Sequence, residues 1–415
     1  MNILYFHQHF STPQGSTANR SYEMARCLVA RGHRVIMVCG SYNGAETGLA
    51  SSFKQGSRRG VIDGIDVIEF DLAYGNKDGL FKRAITFLKF AWRSSSLVFS
   101  EKYDLVFATS TPLTAGIPGI FARWFRKKPF VFEVRDLWPE LPKAMGIVKN
   151  PLVLFGMSML ERATYYSAHR LIGLSPGIVD GIHRCGISSE RITMISNGCD
   201  LDVFTNQIES WRPKGVSDTD FLAVYTGTHG IANGLSAVLD TAQELKRRGR
   251  SDIKLLLVGQ GKLKSVLEAR AQADELSNVI FYPPVNKTSL AGLMAAADLG
   301  LQVLADIPAF YYGTSPNKFF DYIAAGLPVL VNYPGWQADM IAQHACGFTV
   351  PPQNSLAFAD ALETAANERD HLAVMGQQAL NLAECEFNRK KLADHFSDCL
   401  EECMALFSPN IVKAA

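Results

Sequence analysis

Short apolar runs alternate with segments of helical period along almost the whole chain, and this alternation leaves few folds open. Ile3 to Phe6, Arg34 to Cys39, Val67 to Asp71, Leu105 to Ala108, Phe130 to Glu133, Leu171 to Leu174 and Ile192 to Ile195 have the length and composition of strands. Arg20 to Arg31, Thr114 to Phe125 and Pro151 to Tyr166 lie between them with helical spacing. Strands that alternate with helices predict a doubly wound parallel sheet. After Asn197-Gly198 a charged stretch, Thr205 to Asp220, carries Pro213 and Gly215 and reads as a linker. The alternation then restarts with strands expected at Leu222 to Thr226, Ile253 to Gly259, Val279 to Tyr282, Leu299 to Leu304, Val329 to Val331 and Gly347 to Val350. Ser355 to Phe407 is helical in pattern throughout. At 415 residues the chain exceeds what one core normally organises, so an α/β protein of two Rossmann-like domains is expected. The halves share no visible self-similarity, so they are similar architectures and not a repeat.

Composition narrows the function class. With 47% hydrophobic and 20% charged residues the chain is of ordinary globular type, and a net charge of +1 argues against nucleic acid as its main partner. The eight cysteines are scattered without a C-x-x-C pair or zinc spacing, which predicts free thiols in a reducing compartment. Asn2 to Phe6 follows Met1 with no basic n-region or cleavage site, so a first strand is expected there and not a signal peptide. The longest apolar stretch, Pro151 to Leu160, is well short of the roughly 20 residues that cross a bilayer. A cytoplasmic protein is expected, peripheral membrane contact remaining open.

Candidate binding residues gather where strands end. In the stretch Gly313 to Val331 a strand exit leads to a helix that Ser315 can cap, with Pro316 in its first turn and Gly326 and Pro328 closing it. A helix start at the carboxyl end of a parallel strand suits a phosphate, and Lys318 adds a cation. Asn317 and Asp321 are four apart and share a helix face, where a carboxylate suits a sugar diol. Thr314 belongs to the same loop. An ordinary βαβ unit with a capped helix would read the same way. Gly15 and Ser16, with Arg20 a turn later, follow the first strand; Gly227, Thr228 and His229 follow the first strand of the second half; Gly259, Gly261 and Lys262 follow the next. Each loop alone is equally a tight strand-to-helix turn, but together they put a candidate ligand in a cleft between two domains.

Glu133-Val134-Arg135-Asp136 places an acid, a base and an acid at another strand end, a functional site or a solvated loop with internal pairing. His7, His9 and His229 are candidate acid-base groups or satisfied structural histidines. Lys77, Lys82, Arg83, Lys89 and Arg93 interleave with Leu80, Phe81, Ile85, Phe87, Leu88, Phe90 and Trp92, and Arg123, Trp124, Arg126, Lys127 and Lys128 repeat the theme. Such helices suit an anionic membrane surface, or a buried helix with a basic outer side.

Over nearly its full length the chain resembles the retaining GT-B glycosyltransferases of family GT4. The marks are the turn at Gly15, Leu174-Ser175-Pro176, Ile195 to Asp200 with Phe204, Gly227, Leu255 to Gly261, Ala297-Asp298, and Asp321 to Val329 where the family has E-A-M-A-x-G-x-P-V. Asp-Leu-Trp-Pro at 136–139 and Ser-Pro-Asn-Lys at 315–318 are similar to the bacterial subgroup that adds amino sugars such as L-fucosamine to surface polysaccharides. The resemblance implies an acceptor domain over 1–204, a nucleotide-sugar domain over 205–390, and a helix in 391–415 returning to the first. It implies transfer of a sugar, such as an N-acetylated amino sugar, from a UDP-sugar to a lipid-linked saccharide of the undecaprenyl diphosphate type, without metal or cofactor. Asp321 would then hold the ribose, Gly259 to Lys262 and Phe281 to Asn286, including Tyr282, would surround the base, and Arg135, Asp136 and Lys318 would act on sugar, acceptor and leaving group. The chain also departs from the pattern. The first acid of the family's E-x7-E pair falls on Gly313, the usual Arg and Lys of the diphosphate site fall on Thr228 and Asn233, and Arg135 stands where many members have a histidine. Lys318 with the helix start at Ser315 to Asn317 is expected to replace the lost cations. A UDP-N-acetylhexosamine 2-epimerase on the same fold and a non-catalytic sugar-nucleotide or lipid-binding subunit are the competing readings.

Overall fold

The computed structural model describes residues 1–15, 19–75, 78–204 and 209–407. The chain forms two compact units: Met1–Ser196 with Gly313–Ser315 and Lys390–Ala415, and Asn197–Tyr312 with Pro316–Arg389.

In the first unit eight strands follow from the apolar runs: β1 (Asn2–Phe6), β2 (Arg34–Tyr42), β3 (Ser57–Ile62), β4 (Ile65–Tyr74), β5 (Leu105–Thr109), β6 (Phe130–Val134), β7 (Arg170–Gly173) and β8 (Ile192–Met194). They are ordered β3-β4-β2-β1-β5-β6-β7-β8, and every pairing is parallel except β3 with β4. The sequence gives no warning of β3, because Ser57-Arg58-Arg59-Gly60 has no apolar run. It is an edge strand, and its arginines pair with Glu69 and Asp66 of β4. Charge on an edge discourages pairing with another chain. The sheet is covered on both faces. Helices Leu80–Ser100, Ile117–Phe125, Pro151–Ser167 and Pro176–Arg184 bury Phe90, Ala122, Tyr165 and Ile178 on one. On the other, Arg20–Ala30 and the last helix, Arg389–Phe407, bury Leu28, Phe396 and Leu400. Each such large side chain contributes roughly 1.5–3 kcal/mol by leaving water.

The second unit holds β9 (Phe221–Thr226), β10 (Ile253–Val258), β11 (Val279–Tyr282), β12 (Leu299–Gln302), β13 (Val329–Val331) and β14 (Gly347–Thr349). Their order is β11-β10-β9-β12-β13-β14, and all pairs are parallel. The expected doubly wound architecture is therefore present twice. The segment read as helical from Ser355 to Phe407 is three helices, Ser355–Asn367, Arg369–Cys385 and Arg389–Phe407. All eight cysteines are free thiols.

Strand order reverses direction between β1 and β5 in the first unit and between β9 and β12 in the second. At such a switch point the two following loops leave in opposite directions and open a crevice at the carboxyl ends of the strands.

Candidate active site

At the switch point of the second unit, β9 runs into Gly227-Thr228-His229-Gly230. The polypeptide after β12 leads to the helix Asn317–Ala324. Lys318, in the first turn of that helix, reaches the β9 loop. Its Nζ lies 3.2 Å from Asn233 Oδ1 and 3.4 Å from the Tyr225 hydroxyl, and 4.6 Å from the centre of the Tyr225 ring. Asn233 is braced in turn, its Nδ2 donating to Thr228 O at 2.8 Å, and Tyr225 gives its own proton to the same carbonyl at 2.9 Å. No carboxylate among the described residues pairs with Lys318, and burial lowers its pKa to about 8. A half-buried ammonium held by neutral groups alone is costly unless an anion joins it. The family resemblance assigns a cation to position 233, and here the Lys318 ammonium sits against the Asn233 amide.

The helix start differs from the expectation by one residue. Pro316 is extended, with φ −72° and ψ 131°, so the helix begins at Asn317, and no side chain caps it; Ser315 is not the cap. Thr314 and Ser315 group with the first unit.

The glycines of the neighbouring loops are required by close approach. Gly259 has φ +147°, and a Cβ there would meet Gly227 O at 1.9 Å; a Cβ on Gly261 would meet His229 O at 2.4 Å. Gly227 itself has φ +140° and lies under Lys318, whose Cε would be 3.1 Å from an added Cβ. Gly259→Ala is expected to force the two loops apart at a stability cost of at least about 2 kcal/mol. Chemical denaturation would measure it. His229 is fully buried with both ring nitrogens unpartnered, and burial, with Lys264 and Lys318 nearby, lowers its pKa to about 4. It is a neutral group beneath the loop. Lys262 is exposed, whereas Lys264, which the sequence did not single out, ties the loop down by donating to Gly259 O at 2.9 Å and Tyr282 O at 3.1 Å. Its place in the first turn after Gly259-Gln260-Gly261 was the available signal. Phe281 and Tyr282 end β11 half-buried, and Asn286 is committed to capping the helix Lys287–Ala296.

Asp321, expected at the ribose, is buried and accepts from Lys287 Nζ at 2.5 Å, and the same ammonium lies 3.4 Å from Asp200. Arg389 bonds Asp200 and the Gly198 carbonyl. Two acids and two bases thus close a nearly buried network on the motif Asn197-Gly198-Cys199-Asp200. Burial would raise the Asp200 pKa, but the charges of Arg389 and Lys287 hold it below the usual range. Lys287 and Arg389 lie far from Asp321 in sequence, so no spacing announced them. Removing Arg389 leaves Asp200 with Lys287 alone. Arg389→Ala should cost about 2–3 kcal/mol, less than breaking an isolated buried pair.

At the switch point of the first unit, β1 ends in His7-Gln8-His9, β5 in Ser110-Thr111 and β6 in Arg135-Asp136. Ser110 Oγ accepts the Arg135 backbone N–H at 2.9 Å, and Thr111 Oγ1 donates to Asp136 at 2.7 Å. The Arg135 guanidinium lies 3.3 Å from His7 Nε2. Burial, together with the charge of Arg135, lowers the pKa of His7 well below the ordinary value and that of His9 to about 3. Both rings are therefore neutral, and His7 can accept from Arg135. Arg20, expected beside the ligand, is instead drawn into the core. It is 1% exposed, bonds Glu133 at 2.8 and 3.0 Å, and donates to the carbonyls of Ile195 and Ser196. Gly15 packs its backbone against Ser11 and Glu46, so its own loop accounts for the glycine. Ser16 lies outside the described residues, as does Lys77. No group of three or more His, Cys, Asp or Glu among the described residues is placed to hold a metal.

Two sequence profiles match consecutive parts of the chain. Residues 15–198 match the glycosyl transferase 4-like domain, and residues 207–382 match glycosyl transferases group 1. The chain is a GT4-like glycosyltransferase of the GT-B fold. The transferase is 22% identical over 210 residues to the putative colanic acid biosynthesis glycosyl transferase WcaI of Escherichia coli K12, a match covering 47% of this chain and 49% of that relative. The solved structures it resembles establish the fold. HepE of Anabaena, determined in complex with UDP, has a TM-score of 0.68 at 17% identity, covering 97% of this chain and 100% of that one. Sucrose-phosphate synthase of Thermosynechococcus elongatus has a TM-score of 0.76 at 16% identity, covering 98% and 99%. WaaG, involved in lipopolysaccharide biosynthesis, has a TM-score of 0.67 at 19% identity, covering 96% and 99%.

Proposed function

We propose that the enzyme transfers a sugar from a UDP-sugar to a lipid-linked saccharide of the undecaprenyl diphosphate type in surface-polysaccharide assembly, with retention at the anomeric carbon. The observation that carries this reading is the uncompensated Lys318 ammonium at the switch point of the second unit. A diphosphate supplies the missing negative charge there, and the charge it gains on leaving is what a fixed cation stabilises best. The acceptor hydroxyl attacks the anomeric carbon from the face the diphosphate departs, and its proton passes to a phosphate oxygen of the donor. Asp321, oriented by Lys287, has a second carboxylate oxygen for the ribose diol. Arg135 and Asp136, fixed by Ser110, Thr111 and His7, orient sugar or acceptor. The UDP complexes of HepE and the colanic acid assignment of WcaI support the donor and pathway class. An N-acetylated amino sugar, such as N-acetyl-L-fucosamine, is the donor sugar we favour, from the motifs at 136–139 and 315–318. The reaction needs no metal in this reading, and it takes place at the cytoplasmic surface of the plasma membrane.

Thermal shift against a panel of nucleotide sugars tests the donor, since a bound ligand raises stability by mass action. UDP-sugars should raise the melting temperature and GDP-sugars should not. No shift with any UDP compound at millimolar concentration would overturn the reading. The anomeric configuration of the product, read by NMR, tests retention.

A further inference from the structure

At the carboxyl ends of β1, β2 and β4 the first unit gathers rings to which the transfer chemistry assigns no task. His9 follows β1, and Tyr42 and Tyr74 end β2 and β4, where they pair across the sheet. The His9 ring centre lies 4.9 Å from that of Tyr42 and 5.6 Å from that of Tyr74, and the two tyrosines are 5.1 Å apart. Phe87 of Leu80–Ser100 packs 5.5 Å from Tyr74, and His9 Nε2 bonds the Tyr74 hydroxyl.

Two half-buried cations border these rings. Arg135 reaches them through His7, whose Nε2 is 3.3 Å from the guanidinium and whose ring centre is 6.2 Å from that of His9. Arg83, in the first turn of Leu80–Ser100, lies 5.9 Å from the centre of the Phe87 ring. Burial, then the charges of Arg135 and Arg83, lower the pKa of His9 to about 3, so both guanidiniums act on one uncharged imidazole. Neither pairs with a carboxylate among the described residues. Asp78, the acid nearest Arg83 in sequence, binds Lys82 and the Gly75 N–H, each at 2.8 Å. Glu133 and Asp136, on either side of Arg135 in the chain, are taken by Arg20 and Thr111. Arg83 Nε is shut off from water and has no acceptor. Like charges gathered around neutral rings are costly unless an anion joins them, and a guanidinium fork matches phosphate oxygens two at a time. We propose that Arg83 and Arg135 hold a diphosphate ester on the first unit, the anionic head of the acceptor, with His9 and Tyr74 lining the same site. The identity of the ester rests on the lipid-linked acceptor proposed above; the anion site itself follows from the two arginines. The donor diphosphate is met by Lys318 of the second unit, so each diphosphate has its own cations.

The test is calorimetric titration of the full chain, first saturated with UDP, with geranyl diphosphate, geraniol and orthophosphate. The wild type should bind geranyl diphosphate and take geraniol and orthophosphate about tenfold or more weakly. Arg83→Gln should weaken the diphosphate ester by about tenfold to a hundredfold, the loss of a charge-assisted hydrogen bond, and Arg83→Lys should recover part of it. Arg83→Gln should keep the wild-type thermal shift with UDP, which shows it folded and places the loss outside the donor site. The same titration of Lys318→Ala without UDP separates the two readings: if UDP binds nowhere but this variant still takes the ester, the donor reading fails and the anion site stands. Loss of ester binding in Lys318→Ala, geraniol that binds as well as its diphosphate, orthophosphate that binds as well as the ester and so marks an adventitious anion only, or Arg83→Gln that binds the ester as the wild type does would each overturn the proposal.

Discussion

A Lys318→Ala enzyme is expected to turn over about two to three orders of magnitude more slowly than the parent, while remaining folded. The loss belongs to the transition state, where the departing diphosphate gains charge that the ammonium would otherwise meet. Neutral partners, Asn233 and Tyr225, now hold the side chain, so its removal leaves no unpaired carboxylate behind. Stability should therefore hold or rise as activity falls, and denaturation together with steady-state kinetics separates the two. The pH dependence carries the same signature. In the free enzyme Lys318 has a pKa lowered to about 8 by burial, so kcat/KM should decline as pH rises above 8. Lys318→Arg, whose guanidinium does not titrate in that range, should lose this alkaline limb. The linkage to stability runs the same way. A lysine with a folded pKa below its unfolded value costs stability at neutral pH, and that cost is relieved as pH rises from about 8 toward the unfolded value of about 10.4.

Replacing Arg20 by Met is expected to destabilise the first unit by about 3–5 kcal/mol, the cost of leaving a buried carboxylate without its partner. Glu133 is fully buried, and Arg20 and Thr109 supply its bonds. Burial by itself would raise the Glu133 pKa; the charges of Arg20 and Arg135 and these hydrogen bonds outweigh it and hold the pKa below the ordinary value. A depressed carboxylate contributes stability that is present above the unfolded carboxylate pKa and is lost as pH falls through the folded one. Acid unfolding of the wild type should follow that window, and Arg20→Met should reduce this dependence. Arg20→Met/Glu133→Gln, with both charges removed, should recover part of the loss. If Arg20 instead held a ligand, Arg20→Met would weaken UDP or acceptor binding with little change in stability.

Most strands were legible because their apolar runs are short and parallel strands are buried on both faces. β11 and β13 fall on the expected residues, and β3 was missed because a charged edge strand has no apolar signature. At the site, sequence could place glycines and cations at strand ends but not decide where a long side chain turns. Arg20 and Lys318 both stand in the first turn of a helix after a glycine-bearing loop. One is drawn into the core by Glu133, a partner 113 residues away, and the other finds only neutral groups. Lys287 and Arg389 were missed for the same reason, since their carboxylate partners are distant in sequence.

The protonation of Lys318 itself tests the central claim most directly. Lysine Nζ resonances assigned by comparison with Lys318→Arg can be followed through a pH titration by NMR, with and without UDP. The account predicts a pKa of about 8 in the free enzyme and a clear upward shift when UDP is bound, because the diphosphate favours the ammonium form. A Lys318 pKa that stays the same at saturating UDP would contradict it.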